Sequence, residues 1–163
     1  SFRAPTPRPA LSPPCGAVPA TGLIHPMTLH FRLSLSGEPV DGLAEMPFEA
    51  VGLLRGEFLL RERLESLRVP AAREALQRYL DRVTREFAGR PVWYRLVDLW
   101  SDEAATLAGT PPEQREHNPM LGQRGIRRGL ADRRLLEAEL ALVTEVARDH
   151  PNLHILVPFV QDC

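Results

Sequence analysis

Apolar residues recur along this chain with two different periods, and the order of those periods is the feature that most constrains the fold. Alternation with polar residues is typical of a strand with one buried face, and a short apolar run is typical of a strand buried on both faces. Strands are predicted at residues 27–36, 50–55, 91–99 and 153–160. Helices are predicted from Pro70 to about Gly89 and from near Asp132 onward. The resulting order, β, β, α, β, loop, α, β, predicts an α/β fold with a mainly parallel sheet.

The N-terminal segment differs in composition from the rest of the chain. Residues 1–26 carry seven prolines among small residues, too little apolar surface to offset the entropy of an ordered chain. We expect a disordered or linker-like lead-in there and one domain over residues 27–163. With 163 residues, 44% of them hydrophobic, the chain has enough apolar material for one core.

Charge and cysteine content narrow the classes of partner and chemistry. The formal net charge is -1, so the protein as a whole does not attract nucleic acid or an anionic membrane electrostatically. Neither partner is predicted. All 20 basic residues are arginine, so mechanisms that need a lysine are excluded. Cys15 and Cys163 do not have the spacing of a metal site or of a disulfide framework, which predicts a reduced, cytoplasmic setting. The sequence also has no run of about 18 apolar residues of the kind that spans a membrane.

Three arginines fall at or just beyond the predicted ends of strands, or in the loop that follows one. Ligands of parallel α/β sheets gather at the carboxyl ends of the strands, and a guanidinium group offers a two-pronged grip on phosphate or carboxylate oxygens. Arg55, Arg95 and Arg124 therefore predict a site for a small, multiply charged anion. The alternative, which the sequence leaves open, is that these arginines pair with nearby acids such as Glu57, Asp98 and Glu116.

Four segments carry a resemblance to a known family. They are GLLRGEF at residues 52–58, RLVDLWSDEAATLAG at 95–109, NPMLGQRGIRR at 118–128 and ILVPFV at 155–160. Over residues 48–160 the chain resembles the phosphoenolpyruvate-utilising enzymes, and within them the phosphoenolpyruvate synthase (pyruvate, water dikinase) type. The resemblance implies part of a C-terminal (β/α)₈ TIM-barrel-like domain, roughly its first five strands.

The resemblance also implies a function. Family members bind phosphoenolpyruvate or pyruvate and transfer a phosphoryl group to or from a histidine on a mobile domain. Arg55, Arg95 and Arg124 would grip the phosphoryl group, and Asp98 would orient Arg95 or line the pyruvate pocket. Phosphoryl transfer rests mostly on positioning and cationic stabilisation, which suits such a set of groups. Two glycines, Gly122 and Gly125, would let the backbone pass close to the ligand and its neighbours.

The departures from the family pattern limit what is expected of this chain. Gly56 stands where the family usually has a threonine. The family's Mg²⁺ ligands and catalytic cysteine are expected beyond residue 163, so no catalytic residue and no metal ligand is assigned, and little or no turnover is expected of the truncated chain alone. The alternative function is a non-catalytic barrel remnant that associates with itself or with a complementary barrel half.

Overall fold

The structure, a computed structural model, describes residues 29–112 and 116–161. The predicted lead-in and both cysteines lie outside these residues, as do the first two residues of the predicted strand 27–36. Within them, no helix is both long and apolar enough to cross a membrane.

A sheet of four parallel strands forms the centre of the described chain, and the strands lie side by side in chain order. The strands are β1 (Arg32–Leu35), β2 (Ala50–Arg55), β3 (Val92–Arg95) and β4 (Leu153–Leu156). The prediction of an α/β fold with a parallel sheet is confirmed. Four strands are described where the resemblance implied roughly five, and the extent of a barrel beyond them stays a prediction.

Five α-helices connect or flank the strands of the described chain. They are α1 (Gly56–Arg63), α2 (Pro70–Glu86), α3 (Ser101–Ala105), α4 (Gly125–Ala131) and α5 (Arg133–Asp149). The two long helices begin and end close to where helical spacing and end signals predict. Pro70 is the first residue of α2, Gly89 has a φ of 78° soon after its end, and Asp132 caps α5 by accepting from the Leu135 amide.

The two long helices pack against one face of the sheet and against each other, and this layer holds the core. Helix α2 buries Leu76, Leu80 and Val83, and helix α5 buries Leu142, Val143 and Val146. These residues recur at the three- and four-residue spacing of a helical stripe. The core therefore lies between the sheet and its helices, which leaves the carboxyl ends of the strands for the site.

The first strand is shorter than the alternation predicts. Of the described residues 29–36, Arg32–Leu35 form the strand that pairs with β2; Leu35 is buried, whereas Leu29 and Phe31 are 65% and 57% exposed. The expected buried face therefore does not extend to these two side chains. The physical reason is position: β1 is an edge strand of the described sheet, and its partner β2 begins only opposite Arg32.

Candidate functional site: an arginine cluster at the strand ends

Arg55 and Arg95 lie at the carboxyl ends of two adjacent strands of the sheet. They are the last residues of β2 and β3 and are register partners, so their side chains leave the sheet on the same face. Ser36, just after β1, lies beside them, and its Oγ accepts a hydrogen bond of 2.6 Å from Arg55 Nη2. The structure thus brings the ends of three strands together around two guanidinium groups.

Arg124 reaches the same cluster from the residue that precedes α4. Its Nε and Nη2 donate to Asp98 Oδ1 and Oδ2 at 3.0 and 2.7 Å, a bidentate pair, and this bond to Asp98 raises the pKa of Arg124. Asp98 itself is 5% exposed and lies 3.8 Å from Arg95 Nη2. The principal partner of Asp98 is therefore Arg124, and its contact with Arg95, the arginine it was expected to orient, is the longer one.

Glu57, the second residue of α1, holds Arg95. Its Oε1 accepts from Arg95 Nη2, and the carboxyl group is buried, which removes water from it and raises its pKa. Glu57 Oε2 and Arg95 Nε are both buried without a hydrogen-bond partner among the described residues. The ion pairing that the sequence left open as an alternative is therefore present for Arg95 and Arg124, yet it leaves polar atoms of the Arg95 pair unsatisfied.

Arg55 differs from the other two arginines in its surroundings. Its guanidinium lies 4.4 Å from the ring centre of Phe58, and its Nε is buried without a hydrogen-bond partner in the described chain. Among the described residues no carboxylate lies within ion-pair distance of it. Arg55 therefore places a positive charge at the carboxyl ends of the strands, and the described carboxylates do not directly neutralise this charge.

Aromatic rings form a wall beside Arg124. The guanidinium carbon lies 4.1 Å from the ring centre of Phe159 and 5.3 Å from that of Trp100. Such contacts are favourable for a cation and fix the plane of the guanidinium. The sequence analysis did not single out Phe58, Ser36 or Phe159. Ser36 and Phe159 fell within predicted strands, whereas the strands end at Leu35 and Leu156.

Three glycines in the family segments allow close approaches within the chain. A Cβ on Gly125, whose φ is 53°, would lie 2.9 Å from the Pro158 carbonyl oxygen. A Cβ on Gly122 would overlap the Glu116 carboxylate, which accepts from Ser101 Oγ and the Gln123 amide.

The close approaches expected of Gly122 and Gly125 are thus to the protein's own groups. Gly56 is explained in the same way, because a Cβ there would lie 2.7 Å from the Tyr94 hydroxyl. The position that departs from the family pattern is therefore matched to a neighbour inside this chain.

The described residues do not fit a Mg²⁺ ion. No group of three or more His, Cys, Asp or Glu side chains within residues 29–112 and 116–161 is arranged to hold a metal ion. The two buried carboxylates of the cluster, Glu57 and Asp98, already accept from arginines. No step is therefore assigned to a metal here, and the family's metal ligands stay a prediction about residues outside this chain.

The fold and the arginine cluster define a class of protein: parallel α/β domains with arginines at the carboxyl ends of their strands. A family described as "PEP-utilising enzyme, PEP-binding domain" matches residues 35–163. The chain belongs to the phosphoenolpyruvate-utilising enzymes through this domain. The resemblance noted from the sequence is thereby confirmed.

Similar proteins carry names consistent with this family. A probable phosphoenolpyruvate synthase of Methanothermobacter thermautotrophicus is 39% identical over 121 residues, covering 69% of this chain and 18% of the relative. The phosphoenolpyruvate synthase of Pyrococcus furiosus is 33% identical over 131 residues, 76% of this chain and 16% of the relative. A phosphoenolpyruvate-protein phosphotransferase of Haloferax volcanii is 33% identical over 115 residues, 69% and 19% respectively. The chain spans less than a fifth of the length of these relatives.

Proposed function

We propose that this chain is the phosphoenolpyruvate- or pyruvate-binding portion of a phosphoenolpyruvate synthase-like phosphotransferase. Its family membership supports a phosphoenolpyruvate-binding domain with a role in phosphoryl transfer. The observation that carries the finer proposal is that Arg55, Arg95 and Arg124 lie together at the carboxyl ends of the strands. In this reading the three guanidinium groups bind the phosphoryl and carboxylate oxygens, and Asp98 orients Arg124.

The charge balance of the cluster supports an anionic ligand. Three guanidinium groups face two carboxylates, Glu57 and Asp98, which leaves a net charge of about +1 when both acids are ionised. The side chains of Arg95 and Arg124 are 22% and 13% exposed, so they are shielded from water yet reachable. Because no described carboxylate lies within ion-pair distance of Arg55, a ligand anion can neutralise this surplus charge.

Calorimetric titration with phosphoenolpyruvate and with pyruvate tests the proposal. Arg55→Ala is the cleanest variant, because it leaves no carboxylate of the described chain without its partner, whereas Arg95→Ala strands Glu57. We expect each variant to bind at least about tenfold more weakly than wild type, the loss typical of a charged hydrogen bond. Arg78→Ala, on an exposed face of α2, is the matched control and should bind as wild type. No binding by wild type, or equal loss in the control, would refute the site.

The proposal further holds that the chain alone turns over little or no substrate, since the described residues offer neither a metal site nor an assigned catalytic residue. An assay for pyruvate-dependent formation of phosphoenolpyruvate by the purified chain measures this. Detectable turnover that depends on Arg55 would show that the chain is catalytically complete.

A second candidate function rests on the edges of the sheet. No described strand pairs with the outer side of β1 or of β4. Large apolar side chains are exposed near these two edges, namely Leu29, Phe31, Ile155, Val157, Phe159 and Val160. Exposed apolar strand edges favour pairing with further strands, so association with a second copy or with a complementary barrel half is the alternative role of this chain.

A further inference from the structure

A cavity of about 390 Å³ opens on the helical side of the sheet, away from the arginine cluster. Neighbouring residues of a strand point to opposite faces, so Tyr94 faces the helices whereas Arg95 faces the cluster. The floor of the cavity is made by buried leucines that include Leu60, Leu67 and Leu99. This space therefore has different walls from the arginine cluster, although both lie near the end of β3.

Two of the polar side chains that line this cavity are buried, Glu139 and Ser66. Glu139 of α5 lines the cavity and is only 5% exposed. Its Oε1 accepts from the Tyr94 hydroxyl at 2.7 Å and from the Val97 amide at 2.8 Å. Oε2 makes no hydrogen bond with any residue that the structure describes. Because Glu139 lines the cavity and Oε1 is already engaged, Oε2 is the oxygen of this side chain that remains for a ligand there.

The hydrogen bonds to Glu139 decide where its proton resides. Both Tyr94 and Val97 donate to Oε1, so in the neutral acid Oε1 is the carbonyl oxygen and Oε2 carries the proton. Burial raises the pKa of Glu139 to about 7, which keeps the neutral form populated near neutral pH. The neutral Glu139 side chain thus offers an O–H donor among the largely apolar residues that line the cavity.

We propose that this cavity is a binding site for a small uncharged molecule whose body is apolar and whose single carbonyl oxygen accepts a hydrogen bond from Glu139 Oε2. The leucine floor favours the apolar body, and the volume falls in the range of small-molecule sites. At the cavity's polar side Arg68 is paired with Asp132, and Arg128 makes an interaction of its own. The charges around the cavity are thus already engaged, which favours a neutral ligand over an anion such as phosphoenolpyruvate.

Three probes of one shape test the proposal on the full 163-residue chain. Acetophenone carries the carbonyl oxygen, isopropylbenzene lacks any polar atom, and 1-phenylethylamine carries a cation. Binding is followed by the amide resonances of Val97 and Gly125, which border the cavity. We expect saturable shifts with acetophenone. The absence of saturable shifts at these amides would overturn the proposal.

Two isosteric variants isolate the hydrogen bond. Glu139→Gln keeps an acceptor for Tyr94 and Val97 and presents an N–H donor to the cavity, whereas Glu139→Met has neither. We expect the affinity for acetophenone relative to isopropylbenzene to be kept in Glu139→Gln and to fall about three- to tenfold in Glu139→Met. An unchanged ratio in Glu139→Met would show that the cavity binds apolar bodies without the proposed recognition.

The pH dependence supplies a readout that needs no destabilising variant. Charged or titratable groups face Glu139 from several elements: Tyr94 of β3, Glu57 of α1, Arg68 before α2, Arg128 of α4 and Asp132 before α5. If Oε2–H is the donor, the affinity of wild type for acetophenone falls about tenfold from pH 6 to pH 8, as the proton is lost. Glu139→Gln should show no such fall. A wild-type affinity for acetophenone that is constant or rises with pH contradicts the assignment. A carboxylate that binds amines would instead bind 1-phenylethylamine more tightly as the pH rises.

Discussion

Glu139 is the residue whose ionisation should be most visible in the stability of the protein. Its pKa rises from 4.5 to about 7 on folding because the side chain is removed from water. The folded state therefore binds more protons than the unfolded state between these two values, so this contribution to stability is full below about pH 4.5 and is lost as the pH rises through about 7.

The comparison of wild type with Glu139→Gln measures this contribution. The free energy of unfolding of wild type, relative to that of the variant, should fall by roughly 3 kcal/mol between pH 4.5 and pH 8. Urea denaturation at several pH values gives the difference. The other acids of the chain titrate in both proteins, so their contributions cancel in this difference. A flat difference would mean that Glu139 ionises in the folded state as easily as in water.

At the arginine cluster, the sequence predicted positions better than partners. Arg55 could be placed at a strand end because the apolar run before it defines where β2 stops. The apolar run around Arg95 predicted a strand to residue 99, whereas β3 ends at Arg95 itself. The bidentate pair of Asp98 with Arg124 joins residues 26 positions apart, and the pair of Glu57 with Arg95 joins residues 38 apart. Choosing these partners among 21 acidic residues requires the packing of α1 and the loop before α4, which periodicity does not provide.

Helix α4 begins at a residue that only glycine fits. Gly125 has a φ of 53°, and an added Cβ would approach the Pro158 carbonyl oxygen and the Phe159 side chain at 2.9 to 3.2 Å. We expect Gly125→Ala to lower the free energy of unfolding by about 2–4 kcal/mol through backbone strain and overpacking.

Gly129 in the same helix is the matched control for this substitution. Its added Cβ would meet only the flexible Leu136 side chain at 3.3 Å or more, and a helix interior favours alanine over glycine by about 1 kcal/mol. Gly129→Ala should therefore change stability by about 1 kcal/mol or less in urea denaturation. Equal losses in the two variants would show that the start of α4 has no special backbone requirement.

Asn152, just before β4, joins that strand to the end of α2. Its Nδ2 donates to the carbonyl oxygens of Thr84, Phe87 and Arg90 at 3.0 to 3.1 Å. A carboxylate at this position would face three carbonyl oxygens without a donor. We expect Asn152→Asp to lose about 3 kcal/mol or more of stability, and Asn152→Ala about 1–3 kcal/mol.

An exposed asparagine provides the control for this prediction. Asn118 uses its Oδ1 to accept from the Met120 amide, a role that an aspartate oxygen can fill. Asn118→Asp should therefore change thermal stability by less than about 0.5 kcal/mol. A comparable loss at both positions would indicate that general charge effects, rather than the three donated bonds, dominate at Asn152.

Element length decides how much of the fold could be predicted. Helices α2 and α5 each run for 17 residues, long enough for apolar spacing and end signals to be recognised. Helices α3 and α4 have 5 and 7 residues, and the stretches that contain them were interpreted as loop. Two turns or fewer do not establish a period, so these helices are specified by tertiary contacts such as that of Gly125 with Pro158.

For the whole molecule, the open edges of the sheet predict association. If the exposed apolar groups at these edges drive pairing, the sedimentation coefficient of wild type should rise with protein concentration. Phe31→Glu beside β1 and Ile155→Glu in β4 should each reduce this rise, because a charge at an edge opposes pairing. Leu130→Glu, at a site that is 56% exposed on α4, should leave it unchanged. A single species at all concentrations would argue against the association role.

The spatial order of the strands matches their order along the chain, from β1 at one edge to β4 at the other. No strand has to be inserted between two that have already paired. Each newly synthesised β-strand and its helix can therefore dock on the layer made before it, so this arrangement permits stepwise folding from the N-terminus while the ribosome is still producing the later part of the chain.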